Sequence, residues 1–183
     1  MTEIHPNVDY IMLTEKQIKS RIKAVAKQLD KLYEGRKPVV VCILKGSSVF
    51  FSDLIRQMKT TLTVDFMSVS SYGSGTKSTG KIKIRTDLST DIQGRDVLIV
   101  EDIIDSGNTL YHLKKLLNAR APASVNIVTL LDKPERREVP IEPEYTCFVI
   151  EDEFVIGYGL DYDEEYRNLP YVGVLKRCVY EKA

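Results

Sequence analysis

The chain has 183 residues, no formal net charge, 43% hydrophobic and 28% charged residues, which suits one domain with a sizeable core and excludes a broad basic surface for nucleic acid or anionic lipid. Cys42, Cys147 and Cys178 form no C-x-x-C pair, and His5 and His112 are too few for a histidine metal site or a histidine-based triad. No apolar stretch approaches membrane-spanning length, and the segment carrying Glu3, His5 and Asp9 does not read as a signal peptide, so a cytoplasmic protein with reduced thiols is expected.

No internal repeat or low-complexity linker interrupts the chain, so residues 1–183 are taken as a single domain. Thr14-Glu15-Lys16-Gln17 reads as a capping box, with Ile18, Ile22, Val25, Leu29 and Leu32 following at helical spacing to an end near Gly35. Val39 to Leu44 is apolar on both faces, as a central parallel strand should be. Lys45-Gly46-Ser47-Ser48 turns into a second helix with Val49, Phe50, Leu54 and Met58 inward, and a strand is expected at 62–69. Residues 70–80, SSYGSGTKSTG, have the composition of a mobile loop. Ile82 and Ile84 alternate with Lys81, Lys83 and Arg85 as a half-exposed strand. A strand from Val97 runs into Glu101 and Asp102, a polar turn and a helix with Leu110, Leu113, Leu116 and Leu117 inward. Further strands are expected at 124–131, 145–150 and 171–175. The alternation predicts an α/β fold with a mostly parallel sheet and helices on both faces. Ligands bind such sheets at the carboxyl ends of the strands, where the polar turns 45–48, 101–109 and 132–134 should meet.

Asp105-Ser106-Gly107-Asn108-Thr109 precedes a helix, so its backbone amides and the hydroxyls of Ser106 and Thr109 can converge on a phosphate. It lacks the lysine of G-x-x-x-x-G-K-[ST], and no G-x-G-x-x-G follows a strand, which argues against nucleoside triphosphatases and dinucleotide dehydrogenases. Glu101 and Asp102 would repel a bare phosphate, but they suit a ligand that also presents a ribose diol, or a magnesium ion. A sugar phosphate reconciles acids with cradle. The plain alternative is a strand that ends in acids, with Asp105 only starting the turn.

These residues resemble the phosphoribosyl-pyrophosphate signature of the type I phosphoribosyltransferases: hydrophobic residues, Glu101-Asp102, two more hydrophobics, then Asp-Ser-Gly-x-Thr at 105–109. Leu44-Lys45-Gly46-Ser47, Ser71-Tyr72-Gly73, Lys133 in Leu131-Asp132-Lys133 and FVIGYGLDY at 154–162 make the chain similar to the hypoxanthine-guanine members. The resemblance runs in order over nearly the whole chain. It implies a type I phosphoribosyltransferase fold with a small hood formed by the terminal segments. It also implies transfer of 5-phosphoribosyl from phosphoribosyl pyrophosphate to hypoxanthine or guanine, giving IMP or GMP in purine salvage, with Mg2+ as cofactor.

By the same resemblance, Glu101 and Asp102 would hold the ribose hydroxyls and position magnesium, and Asp105 would be the general acid–base at purine nitrogen 7. Asp105, Ser106, Gly107, Asn108 and Thr109 would cradle the 5-phosphate, while Lys45, Gly46, Ser71, Tyr72 and Arg167 would meet the pyrophosphate. Lys133, Phe154, Val155 and Asp161 would form the purine side: Lys133 donating to the 6-oxo group, Phe154 stacking on the ring, backbone groups of Val155 reading its edge, and Asp161 also holding a second magnesium. Ser71 and Tyr72 would close over the site and exclude water. The family usually forms dimers or tetramers, and neither nucleic acid nor membrane is an expected partner. Two alternatives stand beside this reading. One is a regulator that keeps the fold to sense purines or the activated sugar; the other is an enzyme for xanthine or a pyrimidine.

Overall fold

A computed structural model describes residues 4–71 and 82–181. The opening strand β1 (Val8–Leu13) leads to helix α1 (Glu15–Leu32), then β2 (Val39–Leu44), α2 (Ser48–Gln57), β3 (Thr63–Ser71) and β4 (Ile82–Thr86). There follow β5 (Asp96–Ile104), α3 (Asn108–Asn118), β6 (Ser124–Asp132), a 3-10 turn (Pro134–Arg136), β7 (Tyr145–Val149), β8 (Val155–Ile156), β9 (Val172–Leu175) and α4 (Arg177–Tyr180).

Six strands form one sheet in the order β4-β3-β2-β5-β6-β7. Every pairing is parallel except β3 with β4, so the antiparallel strand sits at an edge. The side-chain period of two divides β2 cleanly: Val40 and Cys42 join the core under α1 and α2, while Val39, Val41 and Ile43 join the core under α3. Leu98 and Val100 against Val97 and Ile99 repeat this division in β5. Both faces of these strands are buried, which is why their sequences are apolar without alternation.

Helix α1 starts as its capping box requires, with Thr14 N–H donating to Gln17 Oε1 at 2.9 Å and Gln17 N–H to Thr14 Oγ1 at 3.4 Å. Leu32, expected inward, is only partly buried; Tyr33 is fully buried beside it and accepts from Asn126 Nδ2 at 3.1 Å. On α2 the buried positions are Phe50, Phe51 and Leu54, with Val49 at the margin.

A second sheet, β1-β9-β8, is antiparallel throughout and joins the two ends of the chain. Val8, Ile156, Tyr171 and Leu175 form its own small core. This is the hood expected from the terminal segments.

Buried Asp65 on β3 holds the β4–β5 connection. Its carboxylate accepts from Ser89 N–H at 3.0 Å and Thr90 N–H at 2.7 Å, as well as from Phe66 N–H at 2.8 Å. Burial pushes this carboxyl up, but the backbone and hydroxyl donors outweigh it and hold it below the ordinary aspartate range. Asp65→Ala strands these amides and is expected to cost about 2–3 kcal/mol, a fall of roughly 5–10 °C in Tm. The contribution is present above the unfolded value near pH 4 and disappears as pH falls through the lower folded value. Denaturant melts should therefore show the gap between variant and parent closing in acid; a gap independent of pH would contradict the account.

Candidate active site

In the strand order β3-β2-β5-β6 the chain runs outward in opposite directions from β2 and β5, so the crevice between their carboxyl ends is the topological switch point. From one side comes Lys45-Gly46-Ser47, following a cis peptide between Leu44 and Lys45. Ser47 is buried and its hydroxyl donates to Ile43 O at 2.6 Å, tying the turn back to β2. From the other side come Glu101 and Asp102 near the end of β5. The two sides touch: a Cβ on Gly46 would lie 1.7 Å from Asp102 Oδ2. Only a residue without a side chain fits there.

Asp102 Oδ1 accepts from Ile103 N–H at 2.8 Å, whereas Glu101 Oε2 is buried with no hydrogen-bond partner among the described residues. Burial, reinforced by the charge of Asp102, pushes the Glu101 carboxyl well above the ordinary glutamate range. Burial likewise raises Asp102 to about 6, against the pull of the Ile103 and Asp102 amides and of Arg167. A pair of carboxylates held in this way favours any ligand that brings hydroxyl donors or a hard cation. Among the described residues no group of three or more His, Cys, Asp or Glu side chains is gathered to enclose a metal. A cation here would have to complete its shell with oxygens of a ligand.

Past Ile104 the chain enters the turn Asp105–Thr109. Gly107, at φ +80, occupies the N-cap position before α3 and brings no side chain to cap it. The aspartate is therefore not a helix cap. Ser106 Oγ accepts from Asn108 N–H at 3.4 Å and Nδ2 at 3.2 Å, and Asn108 Nδ2 also reaches Glu138 Oε2 at 2.6 Å. The first helical bond runs from Tyr111 N–H to Gly107 O, so the preceding amides, including that of Thr109, have no helical acceptor and form an anion-favouring end. The turn is anchored from behind, by Glu138 N–H to Ser106 O at 3.0 Å and by Arg137, which reaches both Asp105 O and the carboxylate of buried Asp132.

Lys133 follows β6 and is buried, not a loop-surface lysine. Its Nζ donates to Glu153 O at 2.8 Å and to Asp152 Oδ1 at 3.2 Å. The other Asp152 oxygen accepts from Arg136 Nη1 at 3.1 Å, and Arg136 Nε donates to Asp105 Oδ1 at 2.8 Å. Phe154 is 39% exposed, which sets it apart from a core aromatic. Tyr180 stacks on it at 4.8 Å between ring centroids and Tyr162 meets it edge-on at 5.6 Å. Val155 is buried and pairs through β8 with Val174.

Arg167 Nη1 donates to Gly159 O at 2.8 Å and Nη2 pairs with Asp161 Oδ1 at 2.9 Å, while its Nε is buried without a partner among the described residues. Gly159 in turn lies against Gly46 O, which brings this loop to the β2 turn. Lys45 pairs with Glu164 at 3.0 Å, both side chains being well exposed, so the pair is readily exchanged for a ligand.

The expected residues thus fall into three adjoining groups: Lys45, Gly46, Glu101, Asp102, Asp161 and Arg167; the turn 105–109; and Lys133 with Phe154 and Val155. Ser70 and Ser71 belong to β3 and not to the loop expected at 70–80, while Tyr72 and the rest of that expected loop lie outside the described residues. Arg136, Asp152 and Tyr180 join the site without any sequence signal, because P-E-R-R and E-D-E read as solvated charge and Tyr180 stands 26 positions from Phe154.

A family model described as the phosphoribosyl transferase domain matches residues 11–163. A hypoxanthine-guanine phosphoribosyltransferase of Lactococcus lactis is 53% identical, over 96% of this chain and 95% of its own length. The bifunctional protein TilS/HprT of Listeria innocua is 50% identical over 98% of this chain, which spans 28% of the length of that relative. The crystal structure of a hypoxanthine phosphoribosyltransferase from Staphylococcus aureus superposes with a TM-score of 0.95 at 51% identity, covering 97% of each chain.

Proposed function

This chain belongs to the phosphoribosyl transferase family, and from that premise we propose that it transfers 5-phosphoribosyl from phosphoribosyl pyrophosphate to hypoxanthine or guanine, giving IMP or GMP and pyrophosphate in purine salvage. The observation that carries the reading is the pair Glu101 and Asp102. Two carboxylates, pushed up by burial and one of them unpartnered, stand beside the open amino end of a helix. That combination suits a ribose diol joined to a phosphate.

In this reading Glu101 and Asp102 accept hydrogen bonds from the ribose hydroxyls, and the amides of 106–109 hold the 5-phosphate. Lys45 and Arg167 exchange their acidic partners Glu164 and Asp161 for pyrophosphate oxygens. Phe154 presents its exposed face to the purine, and Lys133 donates to the 6-oxo oxygen. Asp105 accepts the proton from purine nitrogen 7 as the nitrogen 9 lone pair bonds to carbon 1 and the bond electrons to pyrophosphate leave with it. The sugar passes through an oxocarbenium-like state, so negative charge on the Asp102 carboxylate would stabilise the developing positive charge. The unpartnered Oε2 of Glu101 suits a magnesium ion; Glu101, Asp102 and Asp161 would hold it, and when bound it would supply neutralisation of the departing pyrophosphate. Closure of Ser71 and Tyr72 belongs to the same reading.

The setting is taken as cytoplasmic; three free thiols, two of them buried, support a reducing compartment. No described helix is long and apolar enough to cross a membrane. A homo-oligomer, dimer or tetramer, is supported by Val64 and Phe66, exposed side by side on one face of β3.

The test is to offer hypoxanthine, guanine, xanthine and adenine with the activated sugar and magnesium. Nucleoside monophosphate from the first two is expected; binding of the sugar without product from any base would favour a sensor. Lys133→Ala should reduce the preference for hypoxanthine over adenine by roughly 10–100-fold in kcat/KM, the worth of a charged hydrogen bond. Unchanged selectivity would remove Lys133 from base recognition.

A further inference from the structure

We infer that Arg136 is a positioning residue, which through Asp152 sets the distance between the proton acceptor Asp105 and the base-reading Lys133; the inference rests on the function proposed above. Four alternating charges form one chain of contacts. Asp105 Oδ1 accepts from Arg136 Nε at 2.8 Å, Arg136 Nη1 reaches Asp152 Oδ2 at 3.1 Å, and Asp152 Oδ1 meets Lys133 Nζ at 3.2 Å. Each oxygen of Asp152 has its own cation, and each engaged nitrogen of Arg136 its own carboxylate. A planar guanidinium with donors in a fixed fork can hold two carboxylates at a set separation; an ammonium cannot.

The ends of this chain are the two groups that a 6-oxopurine must meet together. Its 6-oxo oxygen and nitrogen 7 are neighbours on one edge of the ring. When nitrogen 7 carries the proton, that edge offers an acceptor beside a donor. Lys133 and Asp105 are the complementary donor and acceptor, but they arise from different strands, β6 and β5. Their own backbones are tied at one point, Lys133 N–H to Ile104 O at 2.9 Å; Glu153 O also holds Lys133 Nζ at 2.8 Å, but neither contact fixes that ammonium relative to the Asp105 carboxylate. The Arg136–Asp152 bridge constrains them. With Oδ1 of Asp105 engaged by Arg136, Oδ2 is left for the purine.

Local structure delivers Arg136 to this position. The 3-10 turn Pro134–Arg136 is closed by Arg136 N–H to Lys133 O at 3.1 Å, which folds the arginine back over the end of β5. Asp152 is presented from the far side, where Ile150 N–H donates to Asp132 O at 2.9 Å. The hydrogen bond from Lys133, aided by Arg136, holds the Asp152 carboxyl below its ordinary range, so the bridge stays charged. Arg136 and Asp105 are each about half exposed, at 50% and 45% of the side chain, and such a pair adds little to folding. Its value is in aiming a group.

The test is steady-state kinetics on Arg136→Ala, Arg136→Lys, Asp152→Ala and the double alanine variant, with hypoxanthine and the activated sugar. Arg136→Ala is expected to lower kcat by roughly 10–100-fold, as misplacement of a reacting group does, and to raise KM for the base, with KM for the sugar unchanged. Tm should stay within about 2 °C. Arg136→Lys restores part of kcat, since one carboxylate can still be held. Asp152→Ala shows the same signature, and the double variant is no worse than the more damaged single one, because both break one bridge. Losses that multiply in the double variant would overturn the inference, as would an unchanged kcat and base KM in Arg136→Ala. A rise in kcat would also overturn it, since the arginine would then be a latch on Asp105. If the unmodified protein makes no nucleotide, the parent reading fails first; if it does and these variants match it, only the bridge is wrong.

Discussion

Asp105→Asn should turn over hypoxanthine about 100- to 10,000-fold more slowly than the unmodified protein, the range lost when a positioned acid–base group is removed. The substitution is nearly isosteric. Its amide oxygen can still accept from Arg136, and the backbone carbonyl that Arg137 holds is untouched. The turn proposed as the phosphate cradle should therefore keep its shape, with the amides before Tyr111 still without helical acceptors. What changes is basicity, because a carboxamide cannot take the nitrogen 7 proton. Calorimetric titration with phosphoribosyl pyrophosphate and magnesium should give a Kd within a few-fold of the parent, while single-turnover rates collapse. Equal loss in binding and rate would assign Asp105 to the cradle instead of to proton transfer, and normal turnover would remove it from the chemistry.

Gly46→Ala is expected to have the second large effect, by a steric route. The added methyl would lie 1.7 Å from Asp102 Oδ2 and 2.7 Å from its Cγ, distances no side chain tolerates. Either the Asp102 carboxylate swings away from the crevice or the 45–47 turn retreats, and both separate groups assigned to one ligand. A loss of about 100-fold in kcat/KM for the activated sugar follows from displacement on this scale. Instability could produce the same loss, so the variant is paired with Gly46→Ala/Asp102→Ala, which removes the clash. Tm should recover in the double variant while activity does not. A single variant with parental kinetics would show that the two turns do not meet.

Much of the fold was legible because its signals are local. Thr14 and Gln17 cap α1 through neighbours three residues apart, and the period of the helices is read from one stretch at a time. Val39 to Leu44 declares itself a central strand because both faces are buried. The motif from Glu101 to Thr109 is contiguous, so acids and cradle are visible before any packing is known. The hood is different. β1 pairs only with β9, nearly the whole chain away, and β8 has two residues, too short for any periodicity to register.

The site divides along the same line. Sequence by itself determined the parallel α/β plan, the acids, the polar turn before α3, and the lysine and phenylalanine that resemblance attached to a purine. Only the tertiary structure decided that Gly46 lies against Asp102, that Lys133 is buried, that Tyr180 stacks on Phe154, and that Arg136 and Asp152 join Asp105 to Lys133. These contacts cross between strand ends and loops remote in the chain. Their residues carry no periodicity of their own, so their partners are chosen by the register of the sheet and the burial of its neighbours.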